Sequence, residues 1–333
     1  MSEDSNCYKF GLVSTLRGYE KRIRHSNITR TALEEDLINL GSEATWKKYL
    51  LIVEHNLQVV KFTLQRLPVQ VVHSRIASHL IPVATLKSFD KEKTNYELVL
   101  EKEKILALFQ EIRAIIKEKK ITVSMHSSQF VSLGADDEEI KKNSQAELIY
   151  CARILELISE EAVITTQLNS KKEMVEKFEK LGKEKYLQWM AKAARQLPDY
   201  VLAKISLENE MRGFWNSVNL YKFHLYFKKE YGISFPLVWD NAHEAANPSR
   251  ISENKENWEW FVGTWPNRTP LFYWSESCGK NKVGHCDYYH QKILPPSSTP
   301  IWVCEIKMKE IALKELLESS RINVEEVAWK KRQ

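Results

Sequence analysis

Short apolar runs that break off at a polar or ionisable residue recur along the whole chain. In VLAKISLENE, residues 201–210, seven mostly apolar positions lead straight into Glu208, Asn209 and Glu210, the pattern of a buried strand that stops where polar chemistry starts. The same pattern ends KKITVSM at His126, EAVITT at Gln167, FPLVW at Asp240, TPLF at Tyr273 and PIWVC at Glu305. KFGLVST at 9–15 and the apolar stretch within VQVVHSRIASHLIP supply a first and a second strand. Eight such strands alternating with helical patterns predict an α/β fold, a (β/α)8 TIM barrel whose site lies at the carboxyl ends of the strands. One domain is expected over 1–333, with the barrel at about 9–318 and long loops at its mouth.

The helical patterns fill the gaps. Trp46, Leu50, Val53, Leu57, Val60 and Leu64 keep helical spacing, and 96–119 predicts one amphipathic helix with Leu106, Phe109, Ile112 and Ile116 on a face. Ser144 followed by Glu147 reads as a capping box opening the helix of SQAELIYCARILELI. Residues 170–197 are long enough for two helices, 214–231 for one, and EIALKELLES closes the chain's pattern. The basic segment 17–31 is expected to form a loop over the mouth, as is the turn-rich 275–298.

Composition changes this picture little. With 43% hydrophobic residues in 333, a large core can be buried. Lys and Arg number 49 against 44 Asp and Glu, a formal charge of +5 that suits a polyanionic partner without requiring one. Cys7, Cys151, Cys278, Cys286 and Cys304 are scattered and odd in number, so neither a disulfide framework nor a structural zinc site is expected. No apolar run reaches the ~20 residues of a membrane span, and MSEDSNCYKF lacks a signal peptide's apolar core. A soluble, intracellular monomer with no membrane partner is the expectation.

Candidate chemistry comes from the strand ends. In a closed barrel His126, Glu208, Asp240 and Glu305 would converge on one mouth, where three carboxylates without a cation would raise one another's pKa. A divalent ion relieves that conflict. Mixed carboxylate and imidazole ligands suit Mn²⁺, Zn²⁺ or Fe²⁺ better than Ca²⁺, and such ions suit phosphoester cleavage. DNAH places Asp240 and His243 at a spacing that can serve one site, and GHCDYYH offers His285 and Asp287 as a second lobe. His73 and His79, near the second strand, read as an ordinary strand residue and a loop residue. Arg75 and Lys307 are candidate phosphate-contacting residues near the mouth, each able instead to pair with a ligand carboxylate.

The ordered set SMHSSQF, LENE, VWDNAH, WPNRTPLFYWSES, GHCDYY and CEIKMKEIAL resembles the UV damage endonuclease family, which is related to the AP endonuclease and sugar isomerase barrels. RIASHLIP and SQAELIYCARILEL support it, and the resemblance spans nearly the whole chain. It implies a manganese-dependent TIM barrel that nicks damaged duplex DNA 5′ to a lesion, with Zn, Fe or Mg as other possible ions. It implies metal ligands at His126, Glu208, Asp240, His243, His285 and Glu305, of which Glu208, Asp240 and Glu305 form the catalytic core. It implies a damage-probing pair at Gln129 and Phe130. The sequence departs from the family's pattern at Leu86, Gln167, Leu271 and Tyr273, where imidazoles or a lysine are expected, and at Gly11-Leu12. Gln167 and Tyr273 then remain as neighbours of the metal site.

The expected function is a divalent-metal-dependent endonuclease acting on damaged DNA. A sugar-type barrel enzyme, or a non-catalytic nucleic-acid-binding descendant, is the alternative that the altered ligand positions leave open.

Overall fold

The computed structural model describes residues 8–19, 23–169, 172–278 and 284–320. Part of the expected mouth loop (20–22), part of the turn-rich loop (279–283), Cys7 and residues 321–333 lie outside the described residues.

Among the described residues ten strands are present: β1 Lys9–Val13, β2 Val71–Ile76, β3 Thr122–His126, β4 Val163–Thr166, β5 Ile205–Glu208, β6 Leu237–Val238, β7 Leu271–Trp274, β8 Ser277–Cys278, β9 Gly284–His285 and β10 Ile301–Cys304. Eight of them form one sheet in the order β6-β5-β4-β3-β2-β1-β10-β7, every neighbouring pair parallel. A single parallel bridge, Asp240 to Tyr273, joins the two outer strands and closes the barrel. The expected (β/α)8 architecture is the observed one. β8 and β9 form a small antiparallel hairpin over the mouth.

The barrel interior and the helix layer form one hydrophobic core. Where the strands are closest, the interior admits little extra volume: a Cβ on Gly11 of β1 would stand 2.9 Å from Val303 Cγ2 and 3.0 Å from His73 Cδ2. His73 is itself a buried filler, its two ring nitrogens 2.9 Å from the hydroxyls of Thr122 and Ser124.

Several local expectations need correction. Val201 and Leu202 are not strand residues. They belong to a short helix, Asp199–Leu202, begun by Pro198, and only Ile205–Glu208 extends; a short apolar run does not by itself distinguish helix from strand. The single helix expected over 96–119 is two, Asn95–Leu100 and Glu103–Lys119, because Lys102 is extended between them. The first buries Tyr96 and Val99; the second buries Ile105, Leu108, Phe109, Ile112 and Ile116. Ser144 is no N-cap. The helix Glu138–Ile158 starts earlier, where Asp137 accepts from the backbone N–H groups of Glu139 and Ile140. Ser144 lies inside it, donating to the Ile140 carbonyl and accepting from the Ser132 N–H.

Candidate metal centre

The strand ends deliver the expected side chains to the mouth. His126 is the last residue of β3, Glu208 the last of β5, and Glu305 follows β10 directly. Asp240 lies two residues past β6 and N-caps the helix Asn241–Ala246, its Oδ1 accepting from the His243 N–H at 2.8 Å. That cap explains the DNAH spacing: one turn of helix brings His243 back beside Asp240. Asn209, which sequence reasoning did not single out, supports this geometry. Its Oδ1 accepts from the Asp240 N–H at 2.8 Å, and its Nδ2 donates to the Asp240 carbonyl at 3.2 Å. The signal was available in its place immediately after Glu208.

One potential ligand atom from each of Glu208, Asp240 and His243 lies within 4.8 Å of the other two, and all three residues are buried. The Glu208 carboxylate sits between two imidazoles, Oε2 2.6 Å from His126 Nε2 and Oε1 3.0 Å from His243 Nδ1. His126 Nδ1 is 2.7 Å from the Ser127 carbonyl, and His243 Nδ1 is 2.8 Å from the Asn209 carbonyl. Each imidazole is thus oriented by a main-chain acceptor, the arrangement that fixes ring direction in metal-ligating histidines.

Protons balance the charge of this cluster. Burial alone would raise the Glu208 carboxyl, but His243 and His126 at its two oxygens hold it well below the usual carboxylate range. Asp240 is pushed up, by burial first and then by Glu305 and Glu208. Burial opposes charge on His243, yet Asp240 and Glu208 raise it to about 10, and Glu208 raises His126 in the same way. Asp240 Oδ2 is buried and accepts no hydrogen bond from the described residues. A buried carboxylate oxygen left over in a cluster of Asp, Glu and His is the donor chemistry of a divalent-ion site, so the residues present fit a metal.

The remaining expected site residues divide. Glu305 Oε1 pairs with Arg75 Nη1, and its Oε2 is 3.6 Å from His285 Nε2. Arg75 is therefore inside the mouth rather than on its rim, its guanidinium carbon 5.1 Å from the Tyr273 ring centroid. Burial would lower the Arg75 pKa, but Glu305 and then Tyr273 hold it above its ordinary value. Tyr273 is fully buried in β7, and its pKa is raised mainly by that burial. Gln167 is half-buried just past β4, and Leu86 lies in the turn after β2. Lys307 is on the surface, 3.3 Å from Asp287. Gln129 and Phe130 are exposed on the loop after β3, Phe130 at 68%. That loop is held at its base, where the Asn169 side chain donates to the carbonyls of Gln129 and Val131.

The expectation of no disulfide framework is corrected at one pair. Cys278 and Cys286 form a disulfide, Cα atoms 4.9 Å apart, because the β8/β9 hairpin sets Cys278 opposite Gly284 and Cys286 beside the strand end. Their spacing matches no framework pattern, which is why the sequence concealed the pair. His290 Nδ1 is 3.9 Å from Cys278 Sγ. Cys151 and Cys304 are free and buried. Among the described residues no helix is long and apolar enough to cross a membrane.

Comparison with known proteins agrees with this fold. The chain is 22% identical over 197 residues to a UV DNA damage endonuclease of Bacillus cereus (strain G9842), covering 59% of this chain and 54% of that protein. A UV DNA damage endonuclease of Bacillus thuringiensis subsp. konkukian (strain 97-27) is 21% identical over the same length. The chain thus spans about half the length of the curated relatives it matches. The crystal structure of SacUVDE superposes with a TM-score of 0.69 at 23% identity, covering 95% of this chain and 99% of that one. Endonuclease IV from Thermus thermophilus superposes with a TM-score of 0.50 at 14% identity, covering 80% and 93%. These two likenesses bear on the barrel fold. The family model described as UV-endonuclease UvdE matches residues 8–330, and on that match the chain belongs to the UvdE family of UV-endonucleases.

Proposed function

We propose that this chain is a divalent-metal-dependent endonuclease that acts on damaged duplex DNA and nicks it 5′ to the lesion. The observation that carries the reading is the buried Glu208, Asp240 and His243 group at the strand ends, with Asp240 Oδ2 accepting no hydrogen bond from the described residues, in a member of a UV-endonuclease family. A divalent ion held by these three residues, Mn²⁺ by preference and Zn²⁺, Fe²⁺ or Mg²⁺ by the same donor chemistry, would supply Lewis acidity at a phosphodiester oxygen and acidify water for attack.

The chain's own groups prepare that chemistry. Asn209 clamps the backbone of Asp240, and the Asp240 cap aligns the helix that carries His243. His126, anchored on the Ser127 carbonyl, bears on Glu208 Oε2 and can hold or return a proton there. Gln129 and Phe130, exposed on the loop that leaves the same strand, would supply recognition: an amide for a base edge and a ring to fill the space of an unstacked base. A lesion lowers the few kcal/mol that unstacking costs, which would make recognition selective for damage.

Metal analysis joined to a nicking assay tests the proposal. The purified chain with Mn²⁺ is expected to nick ultraviolet-irradiated supercoiled plasmid at least tenfold faster than intact plasmid. Glu208→Gln, which keeps the shape and removes the ligand charge, should reduce the rate at least a hundredfold with the fold intact by circular dichroism. Full activity in that variant, or equal rates on both plasmids, would sink the proposal; tight binding of irradiated DNA without cleavage would point to a binding-only protein.

A further inference from the structure

The three carboxylates of the mouth are not equivalent. Glu208 and Asp240 lie with His243, each offering a ligand atom within 4.8 Å of the others. Glu305 is committed elsewhere, with Oε1 paired to Arg75 Nη1 and Oε2 facing His285 Nε2 at 3.6 Å. Arg75 is held in place from a second side by the face of Tyr273, its guanidinium carbon 5.1 Å from the ring centroid. The side chains of Arg75 and Glu305 are 17% and 10% exposed, so solvent screens the pair little. A guanidinium does not give up its proton in a protein, so a carboxylate paired with it already has a permanent counter-charge. A divalent ion beside the same carboxylate would meet that fixed positive charge at short range, in a poorly screened pocket. The β7 residue against Arg75 is Tyr273, a buried phenol that does not compensate a further cation.

We propose that the mouth binds one divalent ion, on Glu208, Asp240 and His243, and that the guanidinium of Arg75 is the built-in cation on the Glu305 side, occupying the charge position that a second ion would need. This rests on the reading of the site as a metal centre. Arg75 is then a positioning and charge-balancing residue, and Glu305 contributes by holding it rather than by ligating the ion.

Mn²⁺ titration of the full chain, stripped of metal and followed by calorimetry and by metal analysis after dialysis, tests this. Wild type should take up one Mn²⁺ per chain. Glu305→Gln should change the Mn²⁺ dissociation constant less than threefold, whereas Asp240→Asn should weaken it at least tenfold. Arg75→Met, by freeing Glu305 and His285, should raise the count at saturation towards two. Two or more Mn²⁺ per wild-type chain would overturn the inference, as would a loss in Glu305→Gln equal to that in Asp240→Asn, or an Arg75→Met count that stays at one. If Arg75→Met does not fold, the wild-type count and the Glu305→Gln affinity still decide. No uptake of Mn²⁺ by the wild type would instead overturn the metal-centre reading itself and this inference with it, so the two failures give different results.

Discussion

Phe130 is 68% exposed on a loop whose backbone is pinned by Asn169. Its exposure argues against a packing role. Phe130→Ala should leave unfolding stability within about 0.5 kcal/mol and Mn²⁺ affinity unchanged, as expected of a surface substitution. Its preference for irradiated over intact duplex should fall about tenfold, the scale of one aromatic–base stack worth ~1–3 kcal/mol. A variant that keeps its full preference would withdraw the damage-probing role. At this scale the sequence was informative wherever a side chain's position follows from strand termination: His126, Glu208 and Glu305 stand at or immediately after strand ends. It was less decisive on partnership. Pairing with a ligand carboxylate was one of two readings of Arg75, and nothing in RIASHLIP selects Glu305, since that contact joins residues 230 positions apart.

His73 ties two elements together, reaching from β2 to the hydroxyls of Thr122 and Ser124 on β3 in the barrel interior. Burial, with Arg75 adding to it, pushes its pKa down from the ordinary 6.5 to about 3. The sign follows from proton counting. Between pH 6.5 and 3 the unfolded chain binds a proton at this position that the folded chain refuses, so stability is full above 6.5 and falls as the pH drops through that window. The slope for one proton is about 1.4 kcal/mol per pH unit. Urea unfolding at a series of pH values should show that slope shrinking by about one proton in His73→Gln, and identical slopes would refute the assignment. Element identity was legible in the sequence where apolar runs were long and bounded, which is why all eight barrel strands were found. Boundaries were less so. Val201 and Leu202 had an apolar run's ambiguity, and the break at Lys102 carries no Gly or Pro to mark it. The Asp137 cap competed with a plausible capping box at Ser144, which in the folded chain spends its hydroxyl on Ile140 and Ser132.

Across the whole molecule the barrel is unevenly closed. Seven strand contacts are ladders, whereas β6 and β7 meet through the one bridge between Asp240 and Tyr273, supported by the Tyr273 N–H to Trp239 carbonyl bond of 2.9 Å. The carboxylate proposed to hold the ion is therefore also the residue that closes the ring. Asp240 is bonded on one side to Asn209 at the end of β5 and bridged on the other to β7. An ion gripped by Glu208, Asp240 and His243, all on the β5 and β6 side, would act as a clasp on the residue that bridges the least reinforced joint of the barrel, so ligand occupancy and closure of that joint become coupled. Saturation at a hundred times the dissociation constant should add about 2.7 kcal/mol to global stability. Amide hydrogen exchange would localise the effect: Mn²⁺ should slow exchange most at 237–243 and 271–274 and least on the β1, β2 and β3 side. Protection spread evenly over all eight strands would mean that the joint is already shut without the ion. If the clasp operates, loss of metal would do more than silence the site. It would unfasten the barrel at that joint first, and the metal-free chain would reach proteases and partners as a split ring with its mouth ajar.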